Sequence, residues 1–149
     1  VAENKEEARK MLEEVVASGK AFETFKDMVK AQGGNVDMIE NPELLPQSKF
    51  KTEIKSEESG NVKVLHSERL GVLAMQLGAG RETKEQDVNH AVGLELACKR
   101  GDKVNKGDTI CIVYHDEELK PQWVDELYHA FELTNEEVAP QPIIEKVLS

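Results

Sequence analysis

Two glycine turns, with a single valine between them, constrain this chain more than any other feature. Lys99-Arg100-Gly101-Asp102 and Asn105-Lys106-Gly107-Asp108 flank Val104, and Thr109-Ile110-Cys111-Ile112-Val113-Tyr114 follows directly. Glycine at each turn admits backbone conformations closed to other residues. The apolar, β-branched run after the second turn is the most strand-like stretch in the sequence. This part of the chain therefore reads as sheet.

Around that centre the pattern moves between strand and helix. Phe50, Thr52 and Ile54 alternate with Lys51, Glu53 and Lys55, the period of a half-buried strand. Ser56 to Gly60 reads as a polar turn, and Val62, Val64 and Leu65 as the return strand. Ser67 is placed to cap the next helix, with Glu68 in its first turn. Leu70, Leu73, Ala74 and Leu77 give that helix a buried stripe, Gly71 offers close packing, and Gly78-Ala79-Gly80-Arg81 ends it. A charged stretch from Glu82 to Gln86 leads to Val92, Leu94 and Leu96, which alternate with Gly93, Glu95 and Ala97. Pro121 suits a helix start, and Val124, Leu127, Tyr128 and Phe131 form one helical stripe after it. Pro140 and Pro142 break the chain before a short apolar end, Ile143-Ile144 and Val147-Leu148.

The first 34 residues are helical and acidic. Ala8, Met11, Leu12, Val15 and Val16 recur at helical spacing, as do Phe22, Phe25, Met28 and Val29 beyond Ser18-Gly19. Gly33-Gly34 closes the second run. These stripes require a surface to bury against, either the rest of the chain or a body outside it. Residues 35–49 read as a linker punctuated by Asn41-Pro42 and Leu45-Pro46. Helices first, then mixed strands and helices from 50 to 149, indicate an α+β fold.

Charge and composition narrow the partners. The 149 residues carry 19 Lys+Arg against 29 Asp+Glu, a formal net charge of -10, which is the wrong sign for attraction to a phosphate backbone. No nucleic acid partner is therefore expected. Apolar runs such as Gly71-Val72-Leu73-Ala74-Met75 fall far short of the ~20 residues that span a bilayer, and Glu3, Glu6 and Glu7 crowd the amino end where a leader would be basic then apolar. No membrane association is expected. Cys98 and Cys111 cannot make a disulfide framework, which points to a reducing, cytoplasmic setting.

Chemistry-bearing motifs are few. Gly78-Ala79-Gly80-Arg81 resembles a phosphate cradle in composition but follows a helix, whereas anion loops precede one; it reads as a helix stop, leaving Arg81 as its one functional candidate. His66, His90, His115 and His129 lack the spacing that clasps a metal from one helix face. His115-Asp116-Glu117-Glu118 holds divalent-ion ingredients in a loop that reads as solvated. Cys98 and Cys111, on neighbouring candidate strands, read as buried inert thiols despite Lys99 and Arg100 nearby. Glu57-Glu58, Glu117-Glu118 and Glu136-Glu137 read as solvated turns, and Trp123 and Tyr128 as helix packing. No nucleophile elbow, P-loop, dinucleotide fingerprint or paired-cysteine zinc motif is present. Neither catalytic, substrate-binding nor metal residues can be assigned.

Two resemblances follow. Gly-Asp-x-Val-x-x-Gly-Asp before an apolar strand resembles the turn of barrel-sandwich folds such as biotinyl and lipoyl domains, in which the valine plugs the core. Neither Met-Lys-Met nor Asp-Lys-Ala, the settings of a modifiable carrier lysine, occurs here. More extensively, Ala17-Ser18-Gly19-Lys20-Ala21-Phe22-Glu23-Thr24-Phe25, Ala31-Gln32-Gly33-Gly34, Ser59-Gly60-Asn61-Val62, Leu77-Gly78-Ala79-Gly80-Arg81 and Ala91-Val92-Gly93 through Gly107-Asp108 appear in order. Together they resemble the carboxy-terminal third of pyrimidine-nucleoside phosphorylases, close relatives of thymidine phosphorylase. Asn89 stands where that family often has aspartate.

The resemblance implies a parent enzyme, a pentosyltransferase, that cleaves a pyrimidine nucleoside with phosphate to a free base and a pentose 1-phosphate. It implies that positioning an anionic nucleophile and stabilising an oxocarbenium-like state fall to groups upstream of the matched region. The monovalent cation some members use is also bound upstream, so no cofactor is expected here. Residues 1–34 would be the last helices of the central α/β domain, and 50–149 a hammerhead and barrel-sandwich-like domain. The parent would be a homodimer, the isolated piece an inactive monomer. A freestanding carrier or interaction module is one rival, and a hydrolase using the carboxylates around Asp116 another.

Overall fold

The computed structural model describes residues 2–81, 83–140, 142 and 144. Glu82, Ile143 and the Val147-Leu148 pair, included above in a charged stretch and an apolar end, lie outside the described residues. The chain divides into two compact units, Val1–Leu45 and Pro46–Ser149.

In the first unit, α1 (Lys5–Ala17) starts where the Asn4 side chain accepts the Glu7 backbone N–H at 2.9 Å, with Glu6 and Glu7 in its first turn. Gly19, at φ 77°, turns the chain into α2 (Lys20–Ala31). Gly33, also at φ 77°, stands just past the end of α2. Residues 35–45, read as part of a linker, contain the one-turn helix α3 (Asp37–Glu40) and a 3₁₀ turn, Pro42–Leu44. Lys26 joins α2 to α3 by an ion pair to Glu40 at 2.9 Å and pairs with Glu23 of its own helix at 2.8 Å. Neither long helix has a buried residue: Leu12, Phe22, Phe25 and Met28, the apolar stripes of the sequence, all face outward.

The second unit is built on two three-stranded antiparallel sheets. β1 (Phe50–Lys55), β5 (Thr109–His115) and β3 (Gly93–Leu96) form one, in the order β1-β5-β3. β4 (Lys103–Val104), β2 (Gly60–Leu65) and β6 (Phe131–Thr134) form the other, in the order β4-β2-β6. The expectation that β2 returns beside β1 is thereby corrected. Ser56 to Ser59 carries the chain from one sheet to the other instead of folding it back. Both sheets bury onto one core that includes Ile54, Val62, Val104, Ile110, Cys111, Val113 and Leu127.

The glycine turns hold the crossover. Gly101 N–H donates to the Val62 carbonyl at 2.9 Å, and Val62 N–H donates to the Asp102 carbonyl at 2.9 Å. The same clasp recurs when Gly107 N–H donates to the Ser56 carbonyl and Ser56 N–H to the Asp108 carbonyl, both at 2.8 Å. Each aspartate also closes its own turn: Asp102 accepts from Lys99 N–H and Asp108 from Asn105 N–H, both at 2.8 Å. Both glycines have positive φ, 95° and 91°. Val104, 3% exposed between the clasps, packs into the core.

Three local expectations change. α4 (Ser67–Ala74) begins at Ser67 itself, with His66 at the cap position and no side-chain capping bond. Gly71 faces open space, so its missing side chain serves no close approach. Phe131 is not the last residue of the α5 stripe: α5 (Pro121–His129) buries Trp123 and Leu127, and Phe131 opens β6, a strand the sequence pattern did not announce. Leu70 and Leu73 of α4 are buried as the stripe required, and the helix ends in a wide π-type turn, Met75–Ala79, with Gly78 at φ 105°.

Candidate functional site

One polar constellation of the second unit gathers Asp116, Asn89 and Lys49. Asp116, just beyond β5, accepts the Lys49 backbone N–H at 2.8 Å and the Asn89 side-chain amide at 2.7 Å. Asn89 also donates its own backbone N–H to the Gly78 carbonyl at 2.9 Å and accepts from Ala91 N–H at 3.0 Å. The glycine-rich helix stop, the start of β1 and the end of β5 are thus tied through two side chains. The Lys49 N–H bond first, then the Asn89 amide, hold the Asp116 carboxyl below its ordinary value of 3.8. An ionised carboxylate with its oxygens engaged this way is a fastener and has no proton to transfer.

The histidines are scattered. His115, 6% exposed, lies with Nδ1 2.6 Å from the Glu117 carbonyl and Nε2 2.8 Å from the Thr52 hydroxyl, stacked on Phe50. A carbonyl only accepts, so Nδ1 carries a proton, and the hydroxyl can donate to Nε2. His66 Nε2 meets Glu132 Oε1 at 2.6 Å, His129 Nδ1 meets the Asp125 carbonyl at 2.8 Å, and His90 is exposed. Among the described residues no three His, Cys, Asp or Glu side chains are grouped to hold a metal. Glu57, Glu58, Glu117, Glu118, Glu136 and Glu137 are exposed, as is Arg81.

The thiols lie in the core. Cys111 is wholly buried and Cys98 6% exposed. Burial, chiefly, pushes the Cys111 thiol up to about 12 and raises Cys98 as well, the reverse of what a nucleophile needs. A hollow of about 820 Å³ runs between α4 and α5, and its charged side chains Arg69, Glu126 and Lys120 are bound within the fold. Arg69 meets Glu126 at 2.8 Å, and the Lys120 ammonium sits 4.5 Å from the centre of the Trp123 ring. Sequence reasoning missed the Asn89–Asp116 tie, for which no local signal exists, since 27 residues separate the partners.

Fold and side-chain geometry therefore define an α+β domain whose polar side chains fasten its own strands and turns. The pyrimidine nucleoside phosphorylase C-terminal domain family matches residues 61–134. The chain is 39% identical over 142 residues to a pyrimidine-nucleoside phosphorylase of Bacillus subtilis (strain 168), covering 95% of this chain and 33% of that protein. It is 40% identical over 148 residues to one of Staphylococcus aureus (strain USA300), covering 99% of this chain and 34% of that protein. The chain belongs to the pyrimidine-nucleoside phosphorylase family and corresponds to its C-terminal part. It spans about a third of the length of the curated relatives it matches. Among the described residues no helix is long and apolar enough to cross a membrane.

Proposed function

We propose that the chain is the structural C-terminal part of a pyrimidine-nucleoside phosphorylase, a pentosyltransferase of nucleoside salvage that converts pyrimidine nucleoside and phosphate to base and pentose 1-phosphate. On its own it is inactive. One observation carries the structural role: Ser56 and His115 are the buried polar residues of the described chain, and both are spent on internal bonds. The Ser56 hydroxyl donates to the Glu58 carbonyl at 2.7 Å, and both His115 nitrogens are engaged. A site built for catalysis leaves buried polar groups aimed at an absent substrate. The similarity to phosphorylases along nearly the whole chain supports the parent reaction.

In this reading residues 1–34 are helices of the parent's α/β domain, 35–49 a linker, and 50–149 a hammerhead and barrel-sandwich-like domain. The outward stripes of α1 and α2 support the first assignment. The clasped turns around Val104 support the last. Phosphate, nucleoside and any monovalent cation are bound by other parts of a cytoplasmic, homodimeric parent, and the chain alone is monomeric.

The test is direct. Uridine and phosphate incubated with this polypeptide should release no uracil above the protein-free rate. Turnover comparable with an intact phosphorylase would overturn the proposal. A second reading, a carrier module, draws on the same clasps, which leave Lys103 and Lys106 exposed. It predicts a covalent lysine adduct in the mass of the native protein, whereas the structural reading predicts the unmodified mass.

A further inference from the structure

We propose that the slot where the two sheets of the second unit part is a binding site for a single-ring aromatic amine. The slot has a volume of about 210 Å³. Its floor is apolar: Ile110 of β5 is 3% exposed and Phe131 of β6 9% exposed, with Leu133 and the Tyr128 ring as walls. A dry cavity of ~150 Å³ accepts benzene, so one six-membered ring fits with room for a short tail.

Charge selects the tail. Among the described residues the charged side chains lining the slot are Glu57 and Glu58, on the crossover between the sheets, and no basic side chain lines it. Neither carboxylate has a hydrogen-bond or ion-pair partner among the described residues, so both are available to a cationic group. The Ser56 hydroxyl is already donated to the Glu58 carbonyl, so it competes for neither carboxylate. A short cationic tail on such a ring is drawn to these two carboxylates. An anion of the same shape meets the two carboxylates and a chain of net charge -10. This inference does not depend on the phosphorolytic reading.

Phenethylamine is the probe, titrated into the full chain with methyl and amide chemical shifts as the readout, beside 2-phenylethanol and phenylacetate. Saturable shifts centred on Ile110 and Leu133 are expected, with a Kd on the order of 1 mM for so small a ligand. The neutral alcohol should bind ~5-fold or more weakly, and phenylacetate weaker still, with the amine's advantage shrinking in 0.5 M salt as screening requires. The Glu57→Gln/Glu58→Gln variant should erase the preference for amine over alcohol while leaving the alcohol's affinity unchanged. Shifts that do not saturate, that centre elsewhere, or that rank the three probes without regard to charge would overturn the proposal.

Discussion

The Asn89 side-chain NH2 donates to one oxygen of Asp116 at 2.7 Å, while the Asn89 carbonyl oxygen accepts from Ala91 N–H and the second Asp116 oxygen from Lys49 N–H. One amide and one carboxylate satisfy all three bonds in either order. Asn89→Asp alone should lower the thermal midpoint at pH 7, because it sets two carboxylates side by side. Asp116→Asn alone should lower it less, and the double exchange should recover most of the loss. A thermal double-mutant cycle measures this; strictly additive losses would show that the two positions are uncoupled.

Acid should loosen the same fastening. Asp116 is held below its ordinary value by Lys49 N–H and Asn89, and Glu53 by its bonds with Lys55 and Thr109. A carboxyl depressed in the folded state contributes stability that is full above its unfolded pKa of ~4 and is lost as pH falls through the folded value. The urea midpoint should therefore fall below about pH 4, with a shallower fall in Asp116→Asn. Identical acid limbs in the two proteins would contradict the assignment.

The two clasp glycines should differ. At Gly107, φ is 91° and an added methyl meets nothing within 4 Å, so Gly107→Ala should cost backbone strain alone, about 1–2 kcal/mol. At Gly101, φ is 95° and the methyl lands 3.1 Å from Pro140 Cα and from the Val138 carbonyl oxygen, so Gly101→Ala should cost more. Chemical denaturation of the two variants compares them; equal losses would refute the steric argument.

Both thiols should be slow to react. Native protein should modify with Ellman's reagent at least about a hundredfold more slowly than protein in denaturant, since attack requires opening the core. The unfolded thiols ionise near ~8.5 while folded Cys111 holds its proton to about 12. The unfolded chain thus sheds a proton that the native chain keeps, and stability should decline as pH climbs through that interval. Cys111→Ala should decline less steeply in the same interval. Rapid labelling of the folded chain would place a thiol outside the core.

Sequence pattern disclosed what is local. Gly101 and Gly107 announced turns because each turn's hydrogen bonds close within four residues, and Leu70, Leu73 and Leu127 betrayed their burial by helical spacing. Pairing was another matter. Nothing in Ile54 specifies Cys111 as its neighbour across the sheet, so a polar turn after β1 read as a hairpin when it leads to the other sheet. Phe131 deceived for a related reason: its spacing continues the α5 stripe, and its pairing with Leu65 is set by β2. The stripes of α1 and α2 were legible, but what covers them is not written in these residues.

The paired clasps have a consequence for how the chain reaches its native state. Ser56 meets Gly107, and Val62 meets Gly101, across long stretches of intervening sequence. Loop-closure entropy must be met before either bond forms, which is slow relative to helix formation. A newly synthesised chain can wind α1 and α2 early and display their greasy flanks while the two sheets are still assembling. Those flanks stay exposed in the folded chain as well, so the hazard of sticking to neighbours outlasts that wait.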